Sequence, residues 1–435
     1  MRLEPLTLRA APVFCFLVAV VFPFGSSMGM LRQPGGALRW AILLVAAAVG
    51  FTLLALRRVP LRPVHVLWAA FAAYAALSAL WSLAPRTSVL HALTIVVLLG
   101  AVFLALWPAA STADGPPRMA QGFLAGILVV EAISIVYALV DPGGGRQPDP
   151  AHRFRGIFEN ANELAIYGEL AVPLSVAAAL RTHGRTRLAW LAAAAASLVV
   201  IVLTGTRAGV PIAIVASLVV LSVAGLHRTA AIAAIVAAAV IVVAVAAILS
   251  GGLGLHLLRT NTVSSLGGRT EAWARATEAI GRRPVGGYGF ATEQQLLAPY
   301  KRYHLLLREG KISQIPPAYR KTTFLHFTGG FVESSYIGAG AQLGFIGIAF
   351  LVAQLLLPLA GLAEARGRAD PAMTGLFAAG LCIGAFESVL WSVGSIVAVP
   401  FWTAALCLVR APALAPQPAV DALRAQPAST SAARP

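Results

Sequence analysis

The stretch LAWLAAAAASLVVIVLTGTRAGVPIAIVASLVVLSVAGL, Leu188 to Leu226, decides the fold. It holds two apolar runs, 188–204 and 207–226, joined by a turn that contains Arg207. Each run reaches the roughly 17 to 25 residues that a helix needs to cross about 30 Å of hydrocarbon. An ionised residue between such runs is expensive unless it faces water, a partner or a ligand.

Working outward, similar runs recur from end to end. Hydropathy predicts twelve spans, at about 12–30, 37–56, 64–82, 88–107, 119–140, 161–180, 188–204, 207–226, 229–250, 333–360, 371–391 and 394–410. The first turns of the span that starts near Glu333 are expected in the interface, before the helix turns inward. The whole chain has 435 residues, 58% hydrophobic and only 11% charged, with a mean hydropathy of +0.80. That composition excludes an ordinary water-soluble domain. The expected fold class is an all-α integral membrane protein of about twelve transmembrane helices. The N-terminal run near Phe14 to Phe24 follows Arg2 and Arg9 but precedes no clear small-x-small cleavage site, so it reads as a retained first helix.

With the N-terminus inside, the inner loops collect Arg57, Arg58, Arg62, Arg118, Arg181, Arg185, Arg187, Arg228, Arg366, Arg368 and Arg410. The positive-inside rule then places both termini in the cytoplasm. Residues 1–250 carry helices one to nine, 251–332 a large outer loop, 333–410 helices ten to twelve, and 411–435 a tail expected to be disordered. A shorter outer loop runs from Asp141 to Asn160. The net charge of +16 comes without any nucleic-acid-binding motif, so membrane lipid or a diphosphate is the expected partner and nucleic acid is not. Cys15, Cys382 and Cys407 lie in apolar runs and read as packing residues.

The region from Gly251 to Gly330 has eleven basic side chains against four acidic ones, a net of about +7. Long loops escape the positive-inside rule, so a solvated basic loop and an anion site are both open readings. Within it Thr270 to Ile280 reads as a helix with Trp273, Ala276, Thr277 and Ile280 on one face, Thr270 as cap, and Gly281 with Pro284 ending it. Arg269 then stands at a helix N-terminus, where backbone N–H groups favour an anion. No Asp-x-Asp pair occurs among Asp114, Asp141, Asp149, Asp370 and Asp421, and no P-loop is present. Neither a metal nor another cofactor is expected. Gly286, Gly287 and Gly289 follow a helix, not a strand, and so read as a turn.

Three segments, in order, resemble one family. RFRGIFENANELAIYGELAVPL (Arg153 to Leu174) looks like its F-x-G-x-F-x-x-x-N-x-x-A start of a transmembrane helix, and TGTRAG (Thr204 to Gly209) looks like its S/T-x-S/T-R-x-G turn. GGRTEAWARATEAIGRRPVGGYGF (Gly267 to Phe290), followed by ESSYIGAGAQLGFIG (Glu333 to Gly347), looks like G-R-x-x-x-W-x-x-A…P-x-x-G-x-G and then H-N-x-Y-L…E-x-G-x-x-G. Over roughly 150–350 the chain therefore resembles the O-antigen ligase and polysaccharide polymerase superfamily. The resemblance implies a GT-C-like membrane glycosyltransferase of the bacterial inner membrane, with a periplasmic catalytic loop. It further implies a polyprenyl-diphosphate-linked glycan as donor and a glycan or lipid-linked hydroxyl as acceptor, for exopolysaccharide or lipopolysaccharide. Other glycan-assembly proteins are candidate partners.

Displacing a diphosphate calls for cations where charge develops, and arginine offers a planar fork matched to phosphate oxygens. Arg207 and Arg269 are the candidates for catalysis and diphosphate binding; Arg153 and Arg155 are candidates for holding the same diphosphate or for anchoring the interface. Asn160 and Asn162 read as helix caps. Where the ligases carry histidine before Asn-x-Tyr, this chain has Glu333, which can act as general base toward a sugar hydroxyl. His326 and His304 are alternative bases. The departure favours polymerase over ligase. Glu131, Glu169 and Glu387 fall within expected helices and keep a transporter or flippase open as the competing class, with packed structural carboxylates and a non-catalytic scaffold as further readings. No inverted repeat supports transport.

Overall fold

The structure is a computed structural model that describes residues 3–25, 32–147, 153–226, 269–315, 332–365 and 368–409. Its regular elements are helices: α1 (Leu3–Val21), α2 (Arg32–Ala55), α3 (Pro63–Leu77), α4 (Pro85–Leu98, continued as a π-helix to Leu104), the short α5 (Trp107–Ala110), α6 (Gly115–Val140), α7 (Ala161–Leu180), α8 (Gly184–Thr204), α9 (Gly209–Val223), α10 (Arg269–Arg282), α11 (Glu293–Arg308), α12 (Ser335–Ala365), α13 (Pro371–Phe386) and α14 (Ala398–Val409). Among the described residues eight helices are long and apolar enough to cross a membrane, and α9, α13 and α14 are shorter apolar helices. The expected ninth span, 229–250, and the tail 411–435 lie outside the described residues.

α7 is the centre of the bundle. Asn160 caps it, its side chain accepting from the Asn162 N–H at 3.0 Å. The helix packs against α6, α8, α9 and α13. Of its apolar window 78% is buried, against 22% for α8. α1 lies along α6, and the Tyr167 hydroxyl on α7 donates to the Ala19 carbonyl at 2.7 Å. Cys15 and Cys407 are buried and unbonded.

Two ion pairs fix which helix ends lie together. Arg32 at the start of α2 reaches Glu159 just before α7 at 2.7 Å, and Arg181 at the end of α7 pairs with Asp370, the N-cap of α13. The Asp141–Asn160 loop therefore shares one end of the bundle with the turn after α8 and the end of α13, whereas Arg181 and Asp370 lie at the other.

Three expectations change. The run 371–391 is not one helix: α13 stops at Phe386 and residues 387–397 are irregular backbone before α14. Irregular backbone within a membrane domain is tolerated where protein satisfies it, and here the Leu390 carbonyl accepts from Trp402 at 2.6 Å and the Gly394 carbonyl from Arg39 at 2.8 Å. Among the described residues the long loop holds two α-helices where one was expected, because Pro299 inside α11 masks its periodicity. α10 turns Ala272, Ala276 and Ala279 inward with Trp273 and Ile280 beside them; Thr277 is exposed, and Thr270 lies inside the helix.

α12 is broken at Gly344 (φ 63°, ψ −156°), a region open essentially to glycine alone. The cause is the glycine turn after α10. Phe345 N–H donates to the Pro284 carbonyl at 2.7 Å and Gly289 N–H to the Gln342 carbonyl at 2.8 Å. A Cβ on Gly344 would lie 2.3 Å from the Val285 carbonyl oxygen.

Candidate functional site

At the bundle end that carries the 141–160 loop, a cavity of about 400 Å³ opens between the ends of α8 and α13 and the starts of α7, α9 and α10. Its first wall joins two sequence motifs. The loop after α6 folds back, with Gln147 N–H on the Arg153 carbonyl at 2.8 Å and Phe154 N–H on the Leu203 carbonyl at the end of α8 at 3.1 Å. This holds the Arg153 guanidinium, 7% exposed, where it donates to Asn162 Oδ1 at 3.1 Å and Gln147 Oε1 at 2.8 Å. Asn162 Oδ1 also accepts from Thr206 in the TGTRAG turn at 3.2 Å. Gly205 (φ 64°) ends α8 in the left-handed conformation, and the turn it makes brings Arg207 to the cavity.

The opposite wall is carboxylate-rich. Arg269 at the start of α10 sits between Glu333 (Nε to Oε2, 3.0 Å) and Glu387 (Nη2 to Oε1, 2.8 Å), all three partly buried. The residues just before α12 and just after α13 hold the pair of carboxylates. Ser335 N–H and Oγ donate to the Glu387 carbonyl at 3.2 and 2.8 Å, and Ser335 Oγ accepts from Val389 and Leu390. Glu333 itself has φ 52°, a left-handed conformation that costs a non-glycine residue about 1–3 kcal/mol and persists only where the surroundings fix it. Burial raises the pKa of Glu333 above the ordinary carboxylate range, and the Arg269 cation opposes that rise. The buried Glu169 of α7 also faces the cavity, so three arginines meet three carboxylates there.

Four residues singled out from sequence, Arg153, Arg207, Arg269 and Glu333, thus line one cavity. Arg155 does not join them: its Nε donates to the Gly144 carbonyl at 3.1 Å, bracing the loop. His304 falls on α11, and His326 lies outside the described residues. Asn160 is a cap as expected, whereas Asn162 bridges Arg153 and Thr206. Among the described basic residues of the long loop only Arg269 lines the cavity; Arg275 and Arg282 pair with Glu278, Lys311 with Glu309, and Arg283 stacks on Tyr288.

Sequence reasoning missed Gln147, which carries no local signal, and placed Glu387 inside a helix although it is the C-cap of α13. Of the other carboxylates weighed for transport, Glu131 is buried and accepts from Ser197 at 2.7 Å. Among the described residues no group of three His, Cys, Asp or Glu is placed to hold a metal ion.

No curated protein matches the chain. Residues 191–352 match the family model described as Wzy_C, O-Antigen ligase, a segment that begins in α8 and takes in Arg207, Arg269 and Glu333 but not Arg153. That match supports the resemblance to the O-antigen ligase and polymerase superfamily over this segment, which is less than half of the chain.

Proposed function

We propose that this protein is a membrane glycosyltransferase that moves a glycan from polyprenyl diphosphate to the hydroxyl of a second lipid-linked repeat, on the outer face of the inner membrane. The observation that carries the reading is the cavity, in which Arg207 and Arg153 stand across from a carboxylate, Glu333, braced by Arg269. The acceptor oxygen bonds to the donor's anomeric carbon as that carbon's bond to the diphosphate oxygen breaks. The hydroxyl proton passes to Glu333, and the electron pair leaves with the diphosphate, whose charge Arg207 and Arg153 balance. A single displacement of this kind inverts the anomeric centre. Polymerase is favoured over ligase because a carboxylate stands where the ligases carry histidine.

The test is complementation of a deletion strain with wild type, Arg207→Ala or Glu333→Gln, followed by mass spectrometry of the lipid-linked intermediates. Single repeats on polyprenyl diphosphate are the expected result, and long chains stranded on lipid would mean a ligase. Normal glycan from Arg207→Ala at normal protein level would refute catalysis and move transport or a scaffold role ahead.

A further inference from the structure

A second cavity, of about 270 Å³, lies behind the first and is lined by parts of α4, α11, α12 and the irregular segment after α13. The two share a wall. Glu333 and Glu387 line the first, whereas their neighbours Ser335 and Ser388, on the same paired segments, line the second. The chemistry differs across that wall. Among the described residues the second cavity has no lysine or arginine in its lining. Its polar groups are neutral amides, hydroxyls and an imidazole, from Thr87, His91, Gln295, Gln342 and Ser392. Glu293 is the one carboxylate there, and its oxygens already accept from Val332 N–H (3.0 Å), Gln342 Nε2 (2.6 Å) and Ser388 Oγ (3.1 Å), so it builds the wall.

The apolar part of the lining is fixed. Trp391 donates from Nε1 to Gln354 at 2.9 Å, and its ring lies 4.4 Å from that of Phe71 and 6.0 Å from that of Phe290. A held aromatic surface with a few convergent amides and hydroxyls suits a ligand that has both C–H faces and hydroxyl groups. A diphosphate would find no cation among these residues, and a hydrocarbon tail would cover the Thr87 and Ser392 hydroxyls without offering them a hydrogen bond.

We propose that this second cavity binds the acceptor glycan, beside the paired segments that carry Glu333 and Glu387; the assignment to acceptor rests on the transferase reading above. The cationic cavity then takes the donor diphosphate and the neutral one the incoming sugar.

The test uses full-length protein in lipid nanodiscs and, as probe, the repeat oligosaccharide released by mild acid from the lipid-linked intermediates of the deletion strain. Ser392→Trp and, from the opposite side, Gln295→Trp fill the cavity from exposed positions. Each is expected to weaken oligosaccharide binding on the order of tenfold, while Arg207→Ala changes it by no more than about twofold. In transfer assays the filling variants raise KM for the soluble oligosaccharide and leave KM for the lipid-linked donor unchanged. Wild-type binding by both filling variants would overturn the site, as would equal loss in Arg207→Ala. A raised donor KM alone would assign the cavity to the donor's sugar and overturn the acceptor role. If wild type binds the oligosaccharide but transfers nothing, the transferase reading has failed while the binding comparison still decides whether the glycan sits here.

Discussion

The two ends of the bundle use the same side chain for opposite ends. At the end bearing Arg181, Arg57 and Arg58 are exposed on a short connection and Arg185 and Arg187 in the first turn of α8, a placement that the positive-inside rule covers without any site. At the cavity end Arg153 is 7% exposed and Arg269 sits between two carboxylates. Arginine count therefore says little about function in a membrane protein; what separates the two ends is whether backbone and amide groups have been built to hold the guanidinium in place.

Substitutions should separate the ends in kind. The largest effects belong to the cavity: Glu333→Gln lowers turnover by about 10²–10⁴-fold, and Arg207→Ala by about 10²–10³-fold, in a transfer assay at matched protein level. Full turnover in either would remove that residue from the chemistry. Next comes pH. A base must be ionised, and burial raises the Glu333 pKa, so activity is present above that pKa and is lost as pH falls through it, the acid limb lying above that of an exposed glutamate. Arg269→Gln removes the opposing cation and moves the limb to higher pH; a limb that moves down contradicts the pairing. Gly344→Ala, which removes no cavity side chain, costs about 1–3 kcal/mol through its backbone conformation, to which the clash of its Cβ with the Val285 carbonyl oxygen adds, and it lowers the melting temperature in detergent. At the opposite end Arg181→Ala loses at most about 1 kcal/mol and leaves glycan length unchanged; a shortened glycan would blur the division between the ends.

Much of this was legible in the chain. The apolar runs announced the helices because a membrane-spanning segment is a local property of composition, and Asn160 before ANELAIYG announced a cap. Arg207 stood out because nothing local explained an ion between two spans. Other features were not local. The segment 387–397 is as apolar as a helix, but its backbone is satisfied by Ser335 and Arg39, both distant in sequence, and by Trp402 in the helix that follows. The break at Gly344 is imposed by Pro284 and Val285, about sixty residues earlier. The excess charge of the long loop left a solvated basic loop and an anion site both open, and i,i+3 and i,i+4 partners absorb Arg275 and Arg282 within α10 itself.

The double contact of Arg269 also makes the cavity a place of exchange. An incoming diphosphate that reaches this guanidinium swaps one anion for another, so its gain is only the amount by which it outcompetes Glu387. On the proposed chemistry, a ligand with a single weak negative charge gains nothing over the carboxylate already present. Selectivity for a multiply charged head group over the abundant anionic lipids around it would then come from the resident competitor, not from the strength of the cation.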